Sequence, residues 1–244
     1  MRNRLLLVAV LLAFPGDGSR AETPEPVVAD LSGPEGASPE GWEPLTFRKI
    51  PQHTRYELVR EGDSLVVRAE SNGGASGLVR TIDVDPKTHP HVRWRWKVEN
   101  VLRAGDVTRK EGDDYPARLY ILFEPDPSRL GFGRRLLYQA ARVVYGELPT
   151  HSLTYIWASR ARRGKIYDNP YTDQVKMLVV ESGAERVGEW IEEERSVVDD
   201  YRRAFNEDPP NIRGVGIMTD TDNTGEAAVA YYGEIRFLEP REEP

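Results

Sequence analysis

Residues 92–98 read Val-Arg-Trp-Arg-Trp-Lys-Val. The apolar Val92, Trp94, Trp96 and Val98 alternate with the cations Arg93, Arg95 and Lys97. A period of two over this length fits a strand with one dry face and one wet face, and no helix. Two indoles on the dry face need a thick apolar layer opposite them. The strand therefore implies a second layer packed against its sheet.

The pattern recurs along the chain. Residues 115–124 direct Ala117, Leu119, Ile121 and Phe123 inward and put Arg118 and Tyr120 on the other face. Segments 55–59 and 64–70 flank Glu61-Gly62-Asp63, a hairpin signal. Further strands are expected at 77–84, 153–158, 175–181, 212–219 and 229–238. Residues 189–200 read as an edge strand followed by a helical turn, with one or two turns over 199–205. Only 130–145 carries a longer helical spacing, through Leu136, Leu137, Ala140, Ala141 and Val144. The 21 glycines and 18 prolines supply turns. The expected fold is mainly β: a two-sheet antiparallel β-sandwich of jelly-roll type with one inserted α-helix near 130–145. A closed barrel is the alternative.

The N-terminus reads as an export signal. Arg2 and Arg4 precede an apolar run over 5–14, and Ser19-Arg20-Ala21 supplies small residues for cleavage after Ala21. Residues 1–21 are thus a signal peptide, the Pro- and Gly-rich 22–41 a flexible leader, and 42–240 a single domain. No later apolar run has spanning length, so no transmembrane segment follows signal cleavage. The expected location is periplasmic or secreted. The formal net charge of −7 becomes more negative once the arginine-rich signal is lost, which speaks against nucleic acid as a partner. The absence of cysteine excludes disulfides, thiolate metal sites and cysteine nucleophiles.

Two acidic loops are the strongest candidates for chemistry. Asp220-Thr-Asp222-Asn223-Thr-Gly225 starts like a calcium loop, but its twelfth position is Tyr231, where a bidentate glutamate belongs. The segment is either a turn tied by its own Asx side chains or a sandwich-loop calcium site using Asp220, Asp222 and Asn223. Gly112-Asp113-Asp114-Tyr115 precedes the strand that carries Arg118. Its paired carboxylates serve acid–base work, bind calcium or neutralise Arg118. Tyr171, in the turn Asn169-Pro170-Tyr171-Thr172, is a candidate sugar platform together with Trp157, or each is a packed aromatic. Strand alternation adds Arg95, Arg118, Tyr120, Tyr232 and Glu234 as residues lining a shallow polar surface. No His-Glu-x-x-His pair, nucleophile elbow, phosphate loop or dinucleotide fingerprint is present.

Ala75-Ser76-Gly77-Leu78, Trp94-Arg95-Trp96-Lys97, the 112–120 segment, Tyr155-Ile156-Trp157, the 169–172 turn and the 220–225 loop occur in that order. Together they resemble the bacterial exported proteins grouped as domain-of-unknown-function family 3047, over nearly all of 42–238. That resemblance implies export and a single domain, and no established activity. More loosely, the strand pattern resembles carbohydrate-binding jelly-roll modules. The leading expectation is a non-catalytic module binding a glycan or other polar ligand, with calcium shaping the rim. The alternatives are a carboxylate-dependent hydrolase of envelope polysaccharide and an envelope scaffold or interaction protein.

Overall fold

The computed structural model describes residues 27–126 and 151–240. The expected signal peptide (1–21) and the helix expected near 130–145 lie outside the described residues. Among the described residues, thirteen strands occur in chain order: β1 (Val27–Ala29), β2 (Glu43–Thr46), β3 (Arg55–Glu61), β4 (Ser64–Asn72), β5 (Ala75–Val84), β6 (His91–Val98) and β7 (Ala117–Phe123). They continue with β8 (Ser152–Ala158), β9 (Ile166–Asn169), β10 (Thr172–Ser182), β11 (Ile191–Ser196), β12 (Ile212–Asp220) and β13 (Ala227–Leu238). One helix, α1 (Val197–Phe205), follows β11. No helix among the described residues is long and apolar enough to cross a membrane.

The strands form two sheets with open edges, so the fold is a jelly-roll-like sandwich and not a closed barrel. Sheet A runs β11-β6-β13-β4-β3, with β1 also on β13; sheet B runs β2-β5-β12-β7-β8-β10-β9. The alternation in β6 is realised in full, with Trp94 and Trp96 buried and Arg93, Arg95 and Lys97 facing out. Trp94 stacks on Tyr155 of sheet B at 5.0 Å between ring centroids, and Trp96 meets Trp157 at 6.1 Å. These aromatics fill the space between the layers. Tyr56 and Tyr232 cross it from sheet A, their hydroxyls donating to the carbonyls of Ser76 at 2.5 Å and Met218 at 2.6 Å in sheet B. Burial raises both phenols above their ordinary value.

Three features depart from the expected pattern. β8 and β10 pair in parallel, because the chain first runs out to edge strand β9 and the 169–172 turn returns β10 between β9 and β8. Part of the stretch expected to be a leader belongs to the sandwich: β1 pairs with β13, and Ala29 and Leu31 are buried. Backbone bonds between Gly36 and Leu58 and between Leu58 and Ala37 fix the following turn, and the Trp42 indole donates to the Asp30 carbonyl at 3.0 Å. Pro and Gly here shape an ordered edge, not a solvated tail. Third, β13 carries a bulge. Tyr232 pairs with Trp96 and Ile235 with Trp94, so Gly233 and Glu234 together oppose Arg95.

At the β11 edge, Glu193 faces inward beside Glu181, which Arg163 and Arg186 hold by ion pairs. Burial first, then the charge of Glu181, pushes the Glu193 carboxyl from its ordinary 4.5 up to about 7. The native state thus holds this proton more tightly than the unfolded chain does. The resulting stability is complete below about pH 4.5 and is lost as the pH rises through about 7. Glu193→Gln is expected to remove roughly 1–2 kcal/mol of this pH dependence, a figure reduced for solvent screening. Urea unfolding at pH 5 and pH 8 measures it; equal slopes for the two proteins would contradict the shared-proton pair.

Candidate functional site

The two acidic loops meet. Lys110–Gly112 forms a short 3-10 turn that brings the chain back on itself, and a Cβ at Gly112 would lie 2.6 Å from the Asp106 nitrogen, so only glycine closes the loop. Asp114 then points across to the 221–225 turn. Its carboxylate accepts from the Asn223 backbone N–H at 3.3 Å, the Asn223 amide at 3.0 Å and the Thr224 N–H at 2.6 Å. The amides of this turn are therefore held by the neighbouring loop, and Gly225, at φ +69°, completes it.

Arg118 fills the centre. Its guanidinium donates to Asp220 through Nε at 2.8 Å and again through Nη2, and reaches the Asp113 carbonyl at 2.5 Å. Nη1 lies 3.6 Å from the Asp113 carboxylate, and the guanidinium covers the Tyr115 ring at 4.2 Å. Arg118 is 4% exposed and Asp220 1%. Burial alone would lower the Arg118 pKa, but Asp220, Tyr120 and Asp113 hold it above its ordinary value. Burial pushes the Asp220 carboxyl up while Arg118 pulls it back, and Asp114 and Asp113 add to the rise. Tyr120 lies beside this pair, its hydroxyl raised to about 12 mainly by burial.

Oxygens of Asp114, Asp220 and Asp222 all lie within 4.8 Å of one another. That spacing suits a hard cation, but two of the three carboxylates are committed elsewhere. Asp114 and Asp220 accept N–H groups of the protein, and the Asn223 side-chain Oδ1 accepts from the Tyr171 hydroxyl at 3.0 Å. Calcium would have to displace a buried guanidinium and two turn amides. Millimolar calcium or a chelator is thus expected to move the melting temperature by less than about 2 °C. A calcium-dependent rise of several degrees, measured by calorimetry, would restore the metal reading.

At the rim of these loops stands Tyr171, 58% exposed and held by Asn169 through its backbone N–H and by Asn223 through its hydroxyl. The structure thus gathers Asp113, Asp114, Arg118, Tyr120, Tyr171, Asp220, Asp222 and Asn223 at one end of sheet B. It does not bring Trp157 or Tyr232 there as ligand contacts. Trp157 is fully buried between the sheets, with its indole donating to the Gly183 carbonyl. Tyr232 is 2% exposed because the β13 bulge turns it inward and lets Glu234 alone keep the outward side.

Arg95 and Glu234 lie in a different place, over the bulge. β4 pairs with β13 up to Tyr232 and β1 from Ile235 onward, so Gly233 and Glu234 sit at a gap on that side of β13. A groove of about 650 Å³ opens there. Its polar lining includes Arg60 and Asp63 from the β3–β4 hairpin, Arg93 and Arg95 from β6, and Glu234 and Arg236 from β13. No motif in the sequence marks Arg60, Asp63, Arg93 or Arg236 as part of a site. The one local signal for the groove is Gly233, a glycine inside a strand, which indicates a bulge or a close approach. Here it indicates both: a Cβ at Gly233 would lie 2.4 Å from Arg95 Cγ.

The profile of a family described as "Protein of unknown function (DUF3047)" matches residues 40–236. The chain belongs to the DUF3047 family. No curated protein matches. Among solved structures, the chain is similar to the family 11 carbohydrate-binding module of the cellulosomal cellulase Lic26A-Cel5E of Clostridium thermocellum. That match has 10% identity over 90% of this chain and 97% of the other, with a TM-score of 0.45. It is also similar to the glycoside hydrolase domain of Spr0440, Endo-D, from Streptococcus pneumoniae R6, at 11% identity and a TM-score of 0.32, covering 83% of this chain and 22% of that one. Both likenesses are weak. The functional reading of this DUF3047 member rests on its own residues.

Proposed function

We propose that this DUF3047 protein is an exported, non-catalytic module that binds a glycan in the groove over the β13 bulge. The observation that carries the reading is the lining of that groove. Donors (Arg93, Arg95, Ser64) and acceptors (Asp63, Glu234, Asp30) converge on one space of about 650 Å³, large enough for two or three sugar rings. Alternating donors and acceptors suit vicinal hydroxyls, which both give and take hydrogen bonds. Arg93, Arg95, Ser64 and Glu234 stand on strands, which hold side chains more firmly than loops would.

The acidic loops support a structural role in this reading. Hydrolysis of a glycosidic bond needs two carboxyl groups facing each other across an open cleft. Asp114 and Asp220 instead face a buried arginine and backbone amides.

Calorimetric titration of the secreted form with a panel of soluble neutral and acidic oligosaccharides tests the proposal. Saturable binding of at least one class, without release of reducing ends, is the expected result. Absence of heat for every class, or hydrolysis of any of them, would overturn it.

A further inference from the structure

Among the four guanidinium groups lining the groove, three are neutralised within the protein. Arg60 pairs with Glu35 at 2.8 Å, Arg93 with Glu194 at 2.7 Å, and Arg236 with Glu234 at 2.5 Å through Nε. Arg95 differs. Among the described residues it makes no ion pair and no hydrogen bond. Its guanidinium is held by packing, 4.8 Å from the Trp190 ring centroid on one side, with its stem lying across Gly233. Glu61 feels its charge, but Glu61 accepts from Lys97 at 3.2 Å and from the Trp190 indole at 3.4 Å.

This arrangement has a cost and a use. A half-buried cation without a carboxylate forgoes a pairing that the other three arginines make. Stacking on an indole and packing over a glycine fix the planar donor fork in place while leaving its hydrogen-bonding edge unspent. A guanidinium positioned in this way matches a planar two-oxygen anion, which it binds through two parallel hydrogen bonds. The rest of the lining is of mixed sign, with Asp30, Asp63, Glu192 and Glu234 facing the same space. A densely charged polyanion is repelled by those acids. A sugar with one carboxylate among several hydroxyls is not, since its hydroxyls donate to them.

Resting on the glycan-binding reading, we infer that the groove is a site for uronic-acid sugars, with Arg95 receiving the sugar carboxylate and Asp63 and Glu234 receiving hydroxyls. The class of ligand is thereby narrowed from glycans in general to carboxylated ones, and the pairing to Arg95 rather than to the loop arginine, Arg118, which is saturated.

The test compares a trisaccharide of two neutral sugars and one galacturonate with the same trisaccharide after reduction of its carboxyl group to an alcohol, titrated at low and moderate salt. The wild-type protein is expected to bind the acid form at least about tenfold more tightly, about 1.4 kcal/mol, with the preference shrinking as salt rises. Arg95→Gln is expected to abolish the preference, while thermal unfolding shows that the variant remains folded. Equal binding of the two sugars by the wild type would overturn the uronate inference and leave glycan binding standing. A preference that survives in Arg95→Gln would overturn the assignment to Arg95. Binding of neither sugar would count against the inference and, together with silence from the rest of the panel, against the groove reading itself.

Discussion

Arg118→Ala is expected to lower the unfolding free energy by about 3–5 kcal/mol. The substitution leaves the Asp220 carboxylate, 1% exposed, with the Tyr115 N–H as its remaining hydrogen-bond donor, beside Asp113 and Asp114. It also removes the bond to the Asp113 carbonyl and the cation over the Tyr115 ring. An uncompensated buried charge costs far more than the pair itself contributes. Pairing Arg118→Met with Asp220→Leu removes both charges and is expected to recover a large part of the loss. Should Arg118→Ala fail to accumulate, Arg118→Lys keeps the charge but not the two-point contact, and is expected to lose about 1–3 kcal/mol. Asp222→Asn, in the same loop, is expected to change stability by less than about 1 kcal/mol, since Asp222 is only partly buried and accepts one long bond from Asn223. Urea unfolding measures all four. A loss below about 1 kcal/mol for Arg118→Ala would show that the acidic loops are not held by this latch.

The second large effect concerns binding. Gly233→Val is expected to weaken glycan binding by about 30-fold or more, roughly 2 kcal/mol. The new Cβ would fall 2.4 Å from Arg95 Cγ and 2.7 Å from its Nε, so the arginine must leave its present path over β13. The displaced side chain also leaves the Trp190 ring. The cost in stability is expected to be about 1–3 kcal/mol, typical of an overpacked site. Thermal unfolding and titration on the same preparation separate the two effects. A folded variant with wild-type affinity would contradict the role of the bulge.

How far these features are legible in the sequence depends on their range. Every strand with regular alternation is readable, because a period of two is a local property of the backbone. The inward Trp94 and Trp96 and the outward Arg93, Arg95 and Lys97 follow directly. Alternation alone puts Tyr232 on the wrong face, because a bulge shifts the pattern by one residue, and the Gly-Glu pair at its centre looks like ordinary strand sequence apart from the glycine. The parallel placement of β10 beside β8 is not readable, since it depends on which strand the returning chain meets. β1 is hidden by the Pro- and Gly-rich composition around it. The two acidic loops are each visible as motifs, but nothing local says that Asp114 holds the amides of a turn more than 100 positions later. The same holds for the groove, whose residues come from separate strands and become neighbours only through sheet order.

Amide chemical shifts of the labelled protein, followed while the tightest-binding oligosaccharide of the panel is added, test the central claim most directly. Binding over the bulge predicts that the largest changes fall at residues 93–97 and 233–236, on neighbouring strands of sheet A. Changes concentrated instead at 110–114, 169–172 and 220–225 would move the site to the acidic loops and contradict binding over the bulge.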